Sequence, residues 1–178
     1  MPSARRVTFS GEHLLLVEIA RYYSDIEASV RNYFSSDNLQ SVERFVDYTP
    51  LEIELEMTSV LAEHARSTSM SILAALEAAF RMDFLQRCYK RQKDPLSRSF
   101  RTLYQNKGQN VPLGDIFLQW KSHSTVSRSI ISDLEQAFKY RHWLAHGRYW
   151  TQKIGREYDY DDIYTLAESI YNSFPLEE

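Results

Sequence analysis

"ILAALEAAFRMDFLQRCYKRQ", residues 72–92, decides the fold class. It is built of strong helix formers and contains neither Gly nor Pro. Upstream, "TPLE" marks a helix start, with Thr49 as N-cap, Pro50 in the first helical position and Glu52 closing a capping box. From there no Gly or Pro occurs until Pro95, and "KDP" (93–95) stops the helix. Only "RSTSMS" (66–71) has weak helix formers, so a bend or break is expected there.

The rest of the chain reads the same way. Ser10 is placed to cap a first helix through residues 12–34, where Leu15, Ile19, Tyr22, Tyr23, Ile26 and Val30 recur at helical spacing. "SSDN" (35–38) ends it, and a short helix is expected over Leu39–Val46. "LSRSFRTLYQN" (96–106) reads as a shorter helix ending at Gly108, and "VPLGDIFLQWKS" (111–122) as another. A long helix follows over 124–146, with Gly147 as its left-handed C-cap. The last helix covers about 161–172, with Asp159, Asp161 and Asp162 favourable at its N-terminus. No segment alternates with the period of a strand. The expectation is an all-α fold, a helical bundle of three to four long helices plus short ones. One domain is expected over 1–178, with its core at about 49–150 and 151–178 packing back as a loop and helix.

Composition narrows the function. The chain has 178 residues and is 43% hydrophobic, enough for a core. The net charge of −3 gives no global attraction to nucleic acid, so any such binding needs a local basic patch. The N-terminus lacks the apolar run of a signal peptide. No stretch approaches the roughly 20 apolar residues of a membrane span, so a cytoplasmic protein without a membrane partner is expected. The single Cys88 excludes an intrachain disulfide and a multi-cysteine zinc site.

The chemistry concentrates in "FKYRHWLAHGRYW" (138–150). Ser127, Ile130, Ile131, Leu134, Ala137 and Phe138 define the buried side of this helix. Arg141 falls about 20° from Leu134 on the wheel, inside the apolar stripe that Ala145 continues. His142 and His146 are i,i+4 neighbours on the flank, roughly 80° and 120° round, and Trp143 lies opposite. An arginine at a core-facing position is costly unless paired or set over a cleft, and such breaks in pattern gather at functional sites. Arg141 reads either as a paired cap on the bundle or as a fixed cation for a phosphate. Trp143 reads either as part of a helix covered on both sides or as an interface. "HWLAH" lacks the Glu of a zinc helix and has no evident third ligand, so neither metal nor cofactor is expected.

"RHWLAH" (141–146) resembles the R-x4–6-H signature of the HEPN superfamily, with His142 as the polar residue after the arginine and Gly147 following. "ALEAAFRMDFLQR" (75–87) is similar to the helix that packs beside the motif in that family. The resemblance covers about 49–150. It implies a dimerising all-α bundle and, in many members, a metal-independent endoribonuclease of toxin–antitoxin or other defence systems. In that mechanism the ribose 2′-OH attacks the adjacent phosphate. His146 is then the general base or acid, Arg141 stabilises charge on the phosphorane, and His142 orients the pair or holds RNA. The implied partners are RNA, a second copy of the chain and a neutralising antitoxin. Arg141 and His146 lie about 140° apart on an ideal helix, so the dimer could supply Arg from one chain and His from the other.

Other residues have two readings. Glu77–Arg81 and Asp83–Arg87 form either a surface salt-bridge ladder or a support in which Glu77 or Asp83 reaches Arg141. Glu77 is favoured, since it lies among Ala74, Leu76, Ala78 and Ala79. Arg87, Lys90 and Arg91, in "RCYKRQK" (87–93) with Arg98 and Arg101 beyond, form a solvated helix end or a phosphate-binding rim. Arg148, Tyr149, Trp150 and Lys153 flank the motif and either extend a substrate rim there or pack as a turn. Two competing functions remain: a non-catalytic all-α interaction module, and a regulator that binds nucleotide phosphate.

Overall fold

Thr49 opens the longest element. Its N–H donates to Glu52 Oε2 at 2.7 Å and its Oγ1 accepts from the Glu52 N–H at 3.3 Å, which forms the expected capping box. The computed structural model describes residues 6–152 and 155–177. Over these the chain is an all-α bundle of six helices: α1 (Leu16–Tyr33), α2 (Pro50–Lys90), α3 (Pro95–Lys107), α4 (Leu113–His123), α5 (Arg128–Ala145) and α6 (Tyr160–Ser173). Among the described residues no helix is long and apolar enough to cross a membrane.

At 41 residues, α2 spans about 60 Å and packs against every other helix. The break expected at 66–71 is absent. The Thr68, Ser69 and Ser71 hydroxyls donate to the carbonyls of His64, Ala65 and Ser67 at 3.0, 2.9 and 3.2 Å. These weak helix formers satisfy themselves on the preceding turn and leave the helix unbroken.

Three boundaries differ from expectation. The first helix starts at Leu16, not near Ser10. The Ser10 hydroxyl instead accepts from the Glu12 N–H at 3.2 Å, around Gly11 at φ 74°. At Leu15 the N–H donates to Glu18 Oε2 at 2.9 Å, which supplies the true start. Residues 39–46 are successive turns rather than a helix, with N–H bonds from Ser41 to Asn38 and from Arg44 to Ser41, both 3.1 Å. Ser124 belongs to the end of α4, where its hydroxyl donates to the Trp120 carbonyl at 2.6 Å, so α5 begins only at Arg128.

Phe80 centres the core, edge-on to Phe117, Trp120 and Phe174 at 5.1, 6.1 and 5.6 Å between centroids. Truncating such a ring to alanine costs about 3–5 kcal/mol. The core ends abruptly along α2, which buries no residue before Thr68. Its N-terminal half pairs with α1 as a two-helix arm. Leu51, Leu55, Thr58, Ala62, Ala65 and Ser69 continue the stripe that carries Leu73, Leu76 and Phe80 in the core. Within it, Leu51 and Leu55 stand 64% and 61% exposed. The core-facing stripe therefore overshoots the bundle that covers it.

At the other end of α2, Asp83 and Arg87 are not a surface ladder. Their side chains are 0% and 8% exposed, and Arg87 Nε donates to Asp83 Oδ1 at 2.6 Å. Arg87 also donates to the Pro175 carbonyl at 2.5 Å, and Asp83 Oδ1 accepts the Glu177 N–H at 2.9 Å. The pair clasps the C-terminal tail onto α2. Burial pushes the Asp83 carboxyl up to about 6, against the lowering effect of the Glu177 N–H and of Arg87.

Candidate active site

The candidate site is the C-terminal end of α5. Gly147 at φ 74° donates to the Leu144 carbonyl at 3.2 Å, and Arg148 donates to Trp143 at 3.1 Å. Together these bonds make a Schellman cap, with the expected glycine left-handed at its C′ position and Arg148, at φ 58°, left-handed after it.

Ile131, Leu134 and Ala137 are buried along α5, and Arg141 follows them on the face toward α2. Its side chain is 34% exposed, and Nη2 lies 3.3 Å from Glu77 Oε2. Glu77 is thus the carboxylate that meets Arg141, from its place among small residues of α2. Its Oε1 accepts from Arg81 Nε at 2.9 Å, and Arg81 Nη1 donates to the Val111 carbonyl at 3.0 Å. One carboxylate so holds two guanidiniums, and Arg81 braces it from behind. Arg141 Nε is buried without an acceptor among the described residues. Ala145, expected to extend the buried stripe, is exposed, because the stripe passes the end of the bundle there.

His142 and His146 are both exposed. Their ring centroids lie 4.2 Å apart, and Trp150 stands 5.8 and 6.2 Å from them. Trp150 is fixed from below, since Trp143 Nε1–H donates to its carbonyl at 2.8 Å. The face of α5 around Trp143 is therefore covered by the returning chain. A groove of about 420 Å³ runs beside His142, Phe138, Lys139 and Trp150. Arg148 donates to Glu63 Oε2 at 2.6 Å, and that bond holds the Glu63 carboxyl below its ordinary range. Tyr149 is 82% exposed. Lys153 lies outside the described residues.

Arg141 and the histidines leave α5 in different directions. The arginine ends on α2, while the imidazoles lie toward Trp150, tilted against it. Within one chain the cation and the titratable pair do not aim at a single point.

The structure divides the other sequence candidates between two places. Glu77, Arg81, Arg148 and Tyr149 lie with the motif. Asp83 lies about 9 Å further along the α2 axis than Glu77, and Arg87, Lys90 and Arg91 about 15–21 Å. Arg87 is enclosed by the tail clasp and presents no face to a ligand. Lys90 pairs with Glu177 Oε2 at 2.8 Å. Arg91 ends α2 in a left-handed conformation, φ 53°. The run 87–93 is therefore not a rim of the motif site. Among the described residues no three His, Cys, Asp or Glu side chains come together as metal ligands do. Two contacts had no local signal in the sequence: Glu63 under Arg148, and Glu177 over Asp83 and Lys90. Both join residues far apart in the chain.

No family model matches the chain, and neither a curated protein nor a solved structure does.

Proposed function

We propose that this protein is a HEPN-like, metal-independent endoribonuclease that works as a homodimer. The observation that carries the reading is the end of α5. There an arginine is held by a carboxylate, Arg141 on Glu77 at 3.3 Å, beside two exposed imidazoles 4.2 Å apart. A fixed cation stabilises charge on a phosphorane, and an exposed imidazole exchanges protons near neutral pH.

In the proposed reaction the ribose 2′-oxygen forms a bond to the adjacent phosphorus as its proton passes to an imidazole. The bond from phosphorus to the 5′-oxygen breaks, and a proton returns to that oxygen, leaving a 2′,3′-cyclic phosphate. His146 carries the proton, His142 orients it, and Arg141 faces the phosphate. Tyr149 and Arg148 offer an aromatic face and a cation to the flanking RNA. Because Arg141 and His146 diverge in one chain, the reading places the arginine of one chain with the histidine of the other. The uncovered stripe through Leu51 and Leu55 supplies apolar surface for a second copy, and the Glu63–Arg148 pair ties that arm to the motif end.

The test is cleavage of structured RNA in EDTA by wild type and by His146→Ala. Cyclic-phosphate products from wild type alone support the reading. Intact RNA with wild type, or equal cutting by the variant, overturns it. The divergence of Arg141 and His146 favours one second reading, a non-catalytic all-α interaction module, which predicts self-association without cleavage.

A further inference from the structure

The C-terminal end of α2 holds a second cationic site, made by residues the motif does not use. A groove of about 570 Å³ opens between the last turn of α2 and α3, lined by Arg6, Cys88, Tyr89, Arg91, Arg101 and Tyr104. Pockets of about 300–1,000 Å³ are the size that holds small molecules. Three arginines border this one, and none of them is ion-paired among the described residues. The local carboxylates are engaged elsewhere: Asp83 with Arg87, Glu177 with Lys90, and Asp94 accepting the Ser97 N–H.

Two of the three cations, Arg101 and Arg6, have contacts that hold them, and Arg91 is exposed. Arg101 Nη1 donates to the Gln92 carbonyl at 2.5 Å. The Arg6 guanidinium lies 5.1 Å from the Tyr89 ring centroid, and Tyr89 Oη accepts the Val7 N–H at 3.0 Å. Tyr89 and Tyr104 meet edge-to-face at 6.2 Å. Arg91 sits at φ 53°, where glycine is the ordinary occupant of a helix end. A bulky residue in that region costs about 1–2 kcal/mol, and such strain gathers at ligand clamps.

We infer that this groove binds a nucleoside phosphate, free or as one unit of an RNA strand, through Arg6, Arg91 and Arg101 on the phosphate and the tyrosine rings on the base. Guanidiniums match phosphate oxygens in paired geometry, and an aromatic ring stacks a base of any identity. The inference is independent of the proposed cleavage, because the groove lies at the C-terminal end of α2 and shares no residue with the motif site.

Calorimetric titration of the full chain with AMP, ATP, inorganic phosphate and a short single-stranded RNA tests it. Arg91→Gly removes one cation and relieves the left-handed residue, so its melting temperature is unchanged or raised. Arg6→Ala removes a second cation at the surface. AMP or ATP should bind roughly tenfold more tightly than inorganic phosphate, and each variant should weaken binding by about five- to tenfold. Binding of RNA without binding of free nucleotide, weakened by Arg91→Gly and Arg6→Ala, supports the strand as the source. His146→Ala should bind as wild type does, so loss of cleavage leaves this result readable. The inference fails if wild type takes up neither nucleotide nor RNA, if phosphate binds as tightly as AMP, or if both arginine variants bind as wild type does.

Discussion

Arg87→Met tests whether the cationic run at the end of α2 serves the fold or a ligand. The substitution keeps an apolar stem and removes a guanidinium bonded to Asp83, Pro175 and Ser97. In wild type the buried Asp83 titrates at about 6, above its unfolded value of about 3.9. A carboxyl raised in this way contributes stability that is full below the unfolded value and is lost as pH rises through about 6. Without Arg87 only the Glu177 N–H opposes its burial, so the Asp83 carboxyl moves further up and holds its proton in the folded state at neutral pH. Holding that proton at pH 7 costs about 1.4 kcal/mol per unit above 6, and the stranded Pro175 carbonyl adds about 1–3 kcal/mol. The variant should therefore lose about 3–4 kcal/mol at pH 7, about 1.4 less at pH 5 and about 1.4 more at pH 8. Urea unfolding at the three pH values measures this. A cost that stays flat across pH, or falls below about 1 kcal/mol at pH 7, refutes the clasp and returns Arg87 to the surface.

Other residues separate the cap, the arm and the proposed RNA face. Gly147→Ala places a Cβ at φ 74° and should cost about 1–2 kcal/mol, read as a fall of several degrees in melting temperature, whereas Gly147→Asn should cost less. Leu55→Arg puts a charge on the uncovered stripe. It should abolish self-association in sedimentation while leaving the melting temperature of the dilute chain within about 2 °C of wild type, since its site is already exposed. Arg148→Ala should lower the salt slope of single-stranded RNA binding by about 0.7 in a logarithmic plot, and Arg87→Met should leave it unchanged.

The fold was legible because breakers are scarce and the caps are local. Thr49 to Glu52 and Gly147 each act within a few residues, so their spacing is visible in the chain. The motif helix was legible for the same reason, and the partner of Arg141 followed from the small residues around Glu77. The misread stretches share a cause. Ser10 and the hydroxyls of 66–71 have two bonding options, and tertiary packing chooses between them. The basic run 87–93 looked uniform, yet its members have separate roles. The α2–tail contact encloses Arg87, Lys90 meets Glu177, and Arg91 takes the left-handed end. No local pattern carries a contact between residues 83 and 177. The overshoot of the α2 stripe was likewise hidden, because periodicity marks an apolar face without saying what covers it.

The central claim is that Arg141 and His146 act across two chains. Separately purified Arg141→Ala and His146→Ala proteins, each inactive, are mixed, allowed to exchange subunits, and given RNA in EDTA. In a mixed dimer one cleft retains an intact arginine from one chain and an intact histidine from the other. The account predicts cleavage in the mixture, at about one quarter of the wild-type rate when exchange is complete and half of the dimers are mixed. A mixture as inactive as its components, while wild type cleaves under the same conditions, contradicts it.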